Sequence, residues 1–150
     1  MLDHARERDR ARLLCGGKRA GGDLAAGWFV EPTVLVDVAP EARIAREEVF
    51  GPVLSVLRFS TQEEAVRIAN DTWSGLGAYL HTRDLDRALA VSRELQAGYI
   101  TVNSYPAMNP GAPFGGYKQS GYGRVGGREG IEEYLQTKNI FIGSKARGAG

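Results

Sequence analysis

The chain holds one cysteine and two histidines, side chains that often act as nucleophiles, general bases or metal ligands. Cys15 lies between two leucines and two glycines, and a free cysteine in such a setting is usually a small core residue without a base to activate it. His4 and His81 are far apart in the sequence, whereas a metal site needs several converging ligands. We therefore predict no metal site, no disulfide within the chain and no catalytic role for Cys15.

A second candidate for chemistry is the segment NSYPAMNPGAPFGGYKQSGYGR at residues 103–124. It is rich in proline and glycine, and its apolar residues follow neither a helical nor a strand period. Structureless segments of this length are uncommon inside compact domains and tend to be functional. We therefore predict a functional loop here, held by regular elements on both sides.

The regular elements follow from periodicity and from helix-capping residues. Thr61 and Glu64 form a capping box at the start of a helix that runs to Asn70. A second, amphipathic helix is predicted at residues 84–96. Its predicted core-facing residues are Leu85, Leu89 and Leu95. The predicted strands are residues 13–15, 28–38, 53–59, 76–81 and 99–102, and the remaining short helices are residues 2–12 and 130–136.

The alternation of strands and helices predicts an α/β fold, with a mostly parallel sheet of about five strands and flanking helices. Residues 1–136 are predicted to form one domain. The apolar stretch KNIFI has no strand of its own to pair with, so residues 137–143 are predicted to project as an arm strand that a partner covers. Residues 144–150 are predicted to be a disordered tail.

Charge and hydropathy exclude several classes of function. The formal net charge is +1, with 19 basic and 18 acidic residues, which gives no field that would attract nucleic acid or an anionic membrane. No apolar run approaches the ~20 residues that a membrane span requires, and the first ten residues lack the apolar core of a secretion signal. With a single cysteine as well, the chain is predicted to be cytoplasmic.

Three stretches stand out when they are read in order. They are EPTVLVDVAPEARIAREEVFGPVLSV, NDTWSGLGAYLHTRD and APFGGYKQSGYGR. Together they resemble successive signature blocks of the NAD(P)-dependent aldehyde dehydrogenase superfamily, and the resemblance spans residues 11–142. Members of this superfamily are much longer, with a Rossmann-like cofactor domain, a catalytic domain and an arm whose strands pair between subunits. The resemblance implies that this chain corresponds to the C-terminal part of the catalytic domain and to the final arm strand.

The resemblance assigns Glu48 and Phe50 to the binding of NAD or NADP. They match a glutamate that holds the nicotinamide ribose and a phenylalanine that positions the nicotinamide ring. The assignment is chemically sensible, because a carboxylate accepts hydrogen bonds from two hydroxyls and an aromatic face positions a flat ring. The alternative is that Glu47 and Glu48 are solvated charges ahead of a core phenylalanine and a Gly-Pro turn.

The resemblance also assigns residues of the long loop. Phe114 and Met108 match positions that line the substrate tunnel, with Asn103 anchoring the start of the loop. Phe114 could equally plug the loop onto the core, and the two roles are compatible.

Two further residues match positions at the subunit interface of the superfamily. Arg124 follows the Ser-Gly-x-Gly-Arg pattern, and Lys138 opens the segment that resembles the closing arm strand. Val125 departs from the pattern, because the superfamily often has a glutamate there that is thought to relay protons to the general base. A protein with valine at this position would need another route for that proton.

An intact relative would oxidise an aldehyde to a carboxylic acid with NAD(P)+ through a cysteine thioester. The superfamily carries its nucleophile in a Gly-Gln-x-Cys motif and its general base in a separate motif, and neither occurs in these 150 residues. We therefore predict that the chain alone is inactive, with an aldehyde substrate and a homo-oligomer or a companion chain as its partners in the complete enzyme. Two alternatives are a non-catalytic module that docks on a longer aldehyde dehydrogenase and a gene remnant.

Overall fold

The computed structural model describes residues 1–105 and 108–143. Its helices are α1 (Leu2–Glu7), α2 (Arg43–Arg46), α3 (Gln62–Asn70), α4 (Leu85–Glu94) and α5 (Gly127–Glu132). Its strands are β1 (Arg12–Cys15), β2 (Thr33–Val36), β3 (Val53–Ser55), β4 (Ser74–Gly75), β5 (Gly77–Leu80), β6 (Tyr99–Val102) and β7 (Tyr117–Lys118). The predicted disordered tail, residues 144–150, lies outside the described residues.

Over residues 1–105 and 108–143 the strands form three small sheets with helices around them, so the fold is α/β as predicted. β2 pairs in parallel with β3, and β5 pairs in parallel with β6. β1 runs antiparallel to β2, and β4 runs antiparallel to β7. The prediction of one continuous, mostly parallel sheet is therefore not confirmed over the described residues. The parallel pairs are those whose strands are joined by a helix, α2 in one case and α4 in the other.

A hairpin at residues 16–32 explains the antiparallel pair β1–β2. Arg19 bridges Val30, and the backbone N–H of Ala20 donates to the carbonyl of Phe29 at 2.9 Å. Gly16 and Gly17 start the reversal with φ angles of 71° and 84°, which favour glycine. Because residues 28–31 belong to this hairpin, β2 is shorter than the strand predicted at 28–38.

Helix boundaries follow the capping residues closely. The hydroxyl of Thr61 accepts from the backbone N–H of Glu64 at 3.2 Å, as the capping box requires. The Glu64 carboxylate reaches back to the N–H of Ser60 instead of that of Thr61, at 2.8 Å. At the C-terminal end of the chain the prediction is less accurate, because α5 begins at Gly127 and the predicted turn begins at residue 130.

The principal core lies under the three-stranded sheet. Its buried side chains are Ala5, Ala11, Leu35, Val38, Ala42 and Ile44. A smaller apolar contact joins α3 to α4, where Val66, Ala88 and Val91 are buried. The prediction that Leu85 and Leu89 face the core is wrong for this chain, since their exposed fractions are 73% and 49%. The buried residues of α4 are Ala88 and Val91 instead.

Cys15 is exposed, which corrects its interpretation as a core residue. It ends β1, an edge strand of its sheet, and its Sγ lies 3.8 Å from the carbonyl oxygen of Pro32. Within the described residues, no helix has the length and apolar character needed to cross a bilayer.

Candidate functional site

One cleft of about 560 Å³ brings together three of the four residues assigned to cofactor and substrate. Glu48 reaches it from the segment after α2, and Met108 and Phe114 reach it from the long loop. The rest of the lining comes from the C-terminal ends of α2 and α3, from β4 and β5, from residues 95–97 with Tyr99, and from Ser120. A carboxylate therefore stands in the same cleft as two large apolar side chains that are about sixty residues away in the sequence.

Phe50, the fourth residue, lies in an adjoining cleft of about 510 Å³ that shares Glu47 and Glu48 with the first. Phe50 is 91% exposed, so the alternative of a core phenylalanine is wrong for this chain. Its φ angle is 52°, a left-handed conformation that costs a residue with a side chain roughly 1–2 kcal/mol. Strained, exposed residues of this kind cluster at ligand-binding sites.

The two adjacent glutamates are held differently. Glu47 pairs with Arg43 one helical turn earlier, with Nε and Oε2 2.7 Å apart. Glu48 has no ion pair among the residues that the structure describes, although it borders both clefts. Its carboxylate is therefore available to accept hydrogen bonds from a ligand.

The end of α2 is fixed from the opposite side by the turn after α3. Arg46 Nη2 lies 2.7 Å from Asp71 Oδ2, and the hydroxyl of Thr72 donates to the carbonyl of Arg46 at 3.1 Å. These contacts set the direction in which the chain leaves α2 toward Glu48 and Phe50.

Phe114 is held by backbone pairing and by an aromatic contact. Its N–H donates to the carbonyl of Val125 and its carbonyl accepts from the N–H of Val125, each at 2.8 Å. Its ring meets that of Tyr99 edge to face, with centroids 5.6 Å apart. Phe114 thus packs against Tyr99 of β6 and also lines the cleft, while its role in a substrate tunnel stays a prediction.

Asn103 fastens the start of the long loop to the end of β5. Its side-chain amide donates to the carbonyl of Thr82 at 2.6 Å and accepts from the N–H of Thr82 at 2.9 Å. Its backbone adopts a φ of 52°, a conformation that asparagine tolerates better than most residues. Through these two bonds the Asn103 side chain continues the hydrogen bonding between β5 and β6 beyond the last backbone pair, Leu80 and Val102.

Neither Arg124 nor Lys138 lines the two clefts that Glu48 borders. Arg124 donates from Nη1 to the carbonyls of Gly116 and Gly123, at 3.0 Å and 2.6 Å, and its guanidinium stacks over the ring of Tyr117. These contacts are all within the chain, so the interface role of Arg124 stays a prediction. Lys138 is exposed in residues 137–143, which form no strand among the described residues, and the arm strand also stays a prediction.

Sequence reasoning missed several residues that build the site. Asn70 is one, because its amide donates to the carbonyl of Glu94 and accepts from the N–H of Gln96, which ties α3 to the end of α4. Gly98 is another, since a Cβ there would meet the carbonyl oxygen of Gly115. Asparagine at a predicted helix end and glycine before a strand were the available signals for these two.

The arrangement can bind a ligand with hydroxyl groups and an apolar portion. Cys15 is not among the residues that line the clefts, and the described residues contain no cluster of side chains that could hold a metal ion. The two clefts can therefore bind a ligand, but the one cysteine of this chain does not line them.

Comparison with known proteins decides the family. The sequence profile of the Aldehyde dehydrogenase family matches residues 2–140. The chain belongs to the aldehyde dehydrogenase family. The 3-sulfolactaldehyde dehydrogenase of Pseudomonas putida is 46% identical over 137 residues, which are 91% of this chain and 28% of that protein. The chain thus spans little more than a quarter of the length of this relative.

Solved structures of aldehyde dehydrogenases have the same fold. A point variant of betaine aldehyde dehydrogenase from Staphylococcus aureus, in complex with NAD+, is 43% identical with a TM-score of 0.87. The match covers 93% of this chain and 28% of that one. A variant of an aldehyde dehydrogenase from Pseudomonas syringae, in complex with NAD+ and octanal, is 47% identical with a TM-score of 0.83, covering 91% and 28% of the two chains.

Proposed function

We propose that this chain forms the C-terminal part of the catalytic domain of an NAD(P)-dependent aldehyde dehydrogenase, where it contributes a cofactor contact and one wall of the substrate site. The convergence of Glu48, Met108 and Phe114 on one cleft carries the proposal, with Phe50 beside it. The complete enzyme would oxidise an aldehyde to a carboxylic acid, with a cysteine nucleophile and a general base supplied by other parts of the enzyme.

The residues present fit a nicotinamide cofactor. Glu48 offers a carboxylate without an ion pair among the described residues, suited to two ribose hydroxyls. Phe50 offers an exposed aromatic face two residues later, on a backbone in the left-handed conformation. A bound NAD(P)+ would supply the hydride acceptor of the reaction. The chain itself would orient the nicotinamide ribose and the nicotinamide ring of the cofactor next to Met108 and Phe114.

Met108 and Phe114 would select the substrate by shape. Both are large and apolar, and Met108 is 66% exposed, so a ligand can reach it. Apolar walls of this kind favour the hydrocarbon part of an aldehyde, while the flexible thioether of Met108 adapts to its outline. Residues 137–143 would pair with another subunit of the complete enzyme. A cytoplasmic location stays a prediction.

A chimera tests the cofactor contact. Residues 2–140 would replace the matching segment of the Staphylococcus aureus betaine aldehyde dehydrogenase, which supplies the rest of an enzyme. In this chimera, Glu48→Gln is expected to raise the Kd for NAD+ about 10-fold or more, because it weakens charge-assisted hydrogen bonds. Cofactor binding would be measured by quenching of protein fluorescence.

The neighbouring Glu47→Gln is the matched control, since the Glu47 carboxylate pairs with Arg43. It is expected to leave the Kd for NAD+ within about twofold, as an exposed ion pair contributes little. Equal effects of the two substitutions would contradict the assignment of the ribose contact to Glu48.

A further inference from the structure

Lys118 has a backbone conformation that lysine rarely adopts. Its φ angle in β7 is 53°, in the left-handed region, at a cost of roughly 1–2 kcal/mol. Its Nζ donates to the carbonyl oxygens of Asn70 and Thr72, at 2.6 Å and 3.1 Å. Both carbonyls belong to the C-terminal end of α3 and the turn after it, where an ammonium group is favoured by the helix dipole. These bonds offset the strain in the backbone.

The same turn holds the segment that leads to Glu48. Asp71, between the two carbonyl groups that Lys118 binds, pairs with Arg46 at 2.7 Å. The hydroxyl of Thr72 donates to the Arg46 carbonyl at 3.1 Å. Arg46 lies two residues before Glu48. The turn at residues 70–72 therefore holds the segment that carries Glu48 through its contacts with Arg46.

On its other side, Lys118 belongs to the loop that carries Phe114. β7 pairs with β4 through Ser74 opposite Lys118 and Gly75 opposite Tyr117. The hydroxyl of Ser120 accepts from the N–H of Gly75 at 2.9 Å, which reinforces this pairing. Phe114 lies four residues before Lys118, and Ser120 lines the cleft with Phe114. A displacement of β7 would therefore displace the apolar wall of the cleft.

We infer that Lys118 is a positioning residue, which sets the spacing between the Glu48 segment and the Phe114 loop by binding the turn at residues 70–72 that both contact. The functional meaning of the two segments rests on the proposed function. The coupling itself is a mechanical property of the chain, and it is measurable without cofactor or substrate.

Hydrogen exchange of the complete 150-residue chain, followed by mass spectrometry, tests the coupling. Lys118→Met removes the ammonium group and keeps most of the side-chain length. It is expected to speed exchange roughly tenfold at residues 114–120 and also at residues 44–50, since charge-assisted hydrogen bonds oppose local opening. Lys118→Arg retains donors for the same carbonyls and is expected to stay within about twofold of the parent chain.

Lys18→Met is the matched control, because Lys18 lies on the hairpin and its side chain is 73% exposed. It is expected to leave exchange at residues 44–50 unchanged. Faster exchange in Lys118→Met that is confined to residues 114–120 would overturn the inference, because it would show a purely local role.

Lys118→Gly keeps the test decisive if the methionine variant does not fold. Glycine adopts a φ of 53° without strain, so this variant loses the ammonium group while its backbone is relaxed. Faster exchange at residues 44–50, with unchanged exchange in α1, would support the coupling. A uniform increase that includes α1 would refute it, since Lys118 would then stabilise the fold as a whole. Neither result depends on whether Glu48 binds NAD+.

Discussion

The purified chain is expected to form no reduced cofactor when it is mixed with NAD+ and an aliphatic aldehyde. The clefts that hold Glu48, Phe50 and Phe114 contain no cysteine of this chain. The only thiol, Cys15, lies at the edge of the three-stranded sheet. Without covalent catalysis, rates fall by many orders of magnitude, and absorbance at the wavelength of the reduced cofactor should stay at its starting value.

Cys15→Ala is the control for this experiment, and its trace is expected to be identical. Turnover that disappears in Cys15→Ala would contradict our assignment and identify Cys15 as a nucleophile. Turnover that persists in Cys15→Ala would show a mechanism without a thiol. Recovery of activity in the chimera with the Staphylococcus aureus enzyme, beside an inactive isolated chain, would locate the missing chemistry outside these 150 residues.

The absence of activity would leave two kinds of protein to distinguish. A module that docks on a longer aldehyde dehydrogenase should co-purify with that protein, and the complex should survive size-exclusion chromatography. A part of one larger enzyme should instead be found joined to the other segments in the cell. Leu85 and Leu89, exposed on α4, suit a surface that further protein covers in either case.

Gly98→Ala is expected to lower the free energy of unfolding by roughly 2–3 kcal/mol. The added Cβ would collide with the carbonyl oxygen of Gly115, which belongs to the backbone and cannot rotate away. Relief requires residues 115–116 to move off β6, which also disturbs the contact between Phe114 and Tyr99. Urea denaturation followed by circular dichroism would measure the change in stability.

Gly21→Ala is the matched control for Gly98→Ala. A Cβ at Gly21 has no neighbour within 4 Å, and its φ of −106° suits an alanine. The unfolding midpoint of Gly21→Ala is expected to equal that of the parent chain or to lie slightly above it. Equal midpoints for both variants would show that the loop yields without cost at Gly98.

The sequence predicted best those elements whose ends are marked by local chemistry. Thr61 caps α3 as expected, because a side-chain acceptor at a helix start satisfies free N–H groups nearby, and α4 begins directly after Asp84, where the predicted helix starts. The hairpin at residues 16–32 was missed, since its glycines read as a loop and its aromatic residues as part of a strand. The antiparallel direction of β1 follows from that hairpin, and the predicted mostly parallel sheet is not confirmed.

The site could be assigned only through the resemblance to a family. No periodicity links Glu48 with Phe114, and their meeting depends on contacts such as Lys118 with Asn70 that have no local signature. The burial predicted for Leu85 and Cys15 failed for a different reason. Amphipathic spacing shows that a face is apolar, but it does not identify what covers that face.

The exposure of Cys15 affects how self-association must be measured. A single accessible thiol cannot close a disulfide within its own chain, but in air it can form a disulfide between two copies. Such a disulfide-linked dimer would have the same mass as a dimer formed through the arm. Its link would be at β1, however, and not at residues 137–143. Sedimentation should therefore be run with reductant present, or on Cys15→Ala, before any dimer is attributed to the arm.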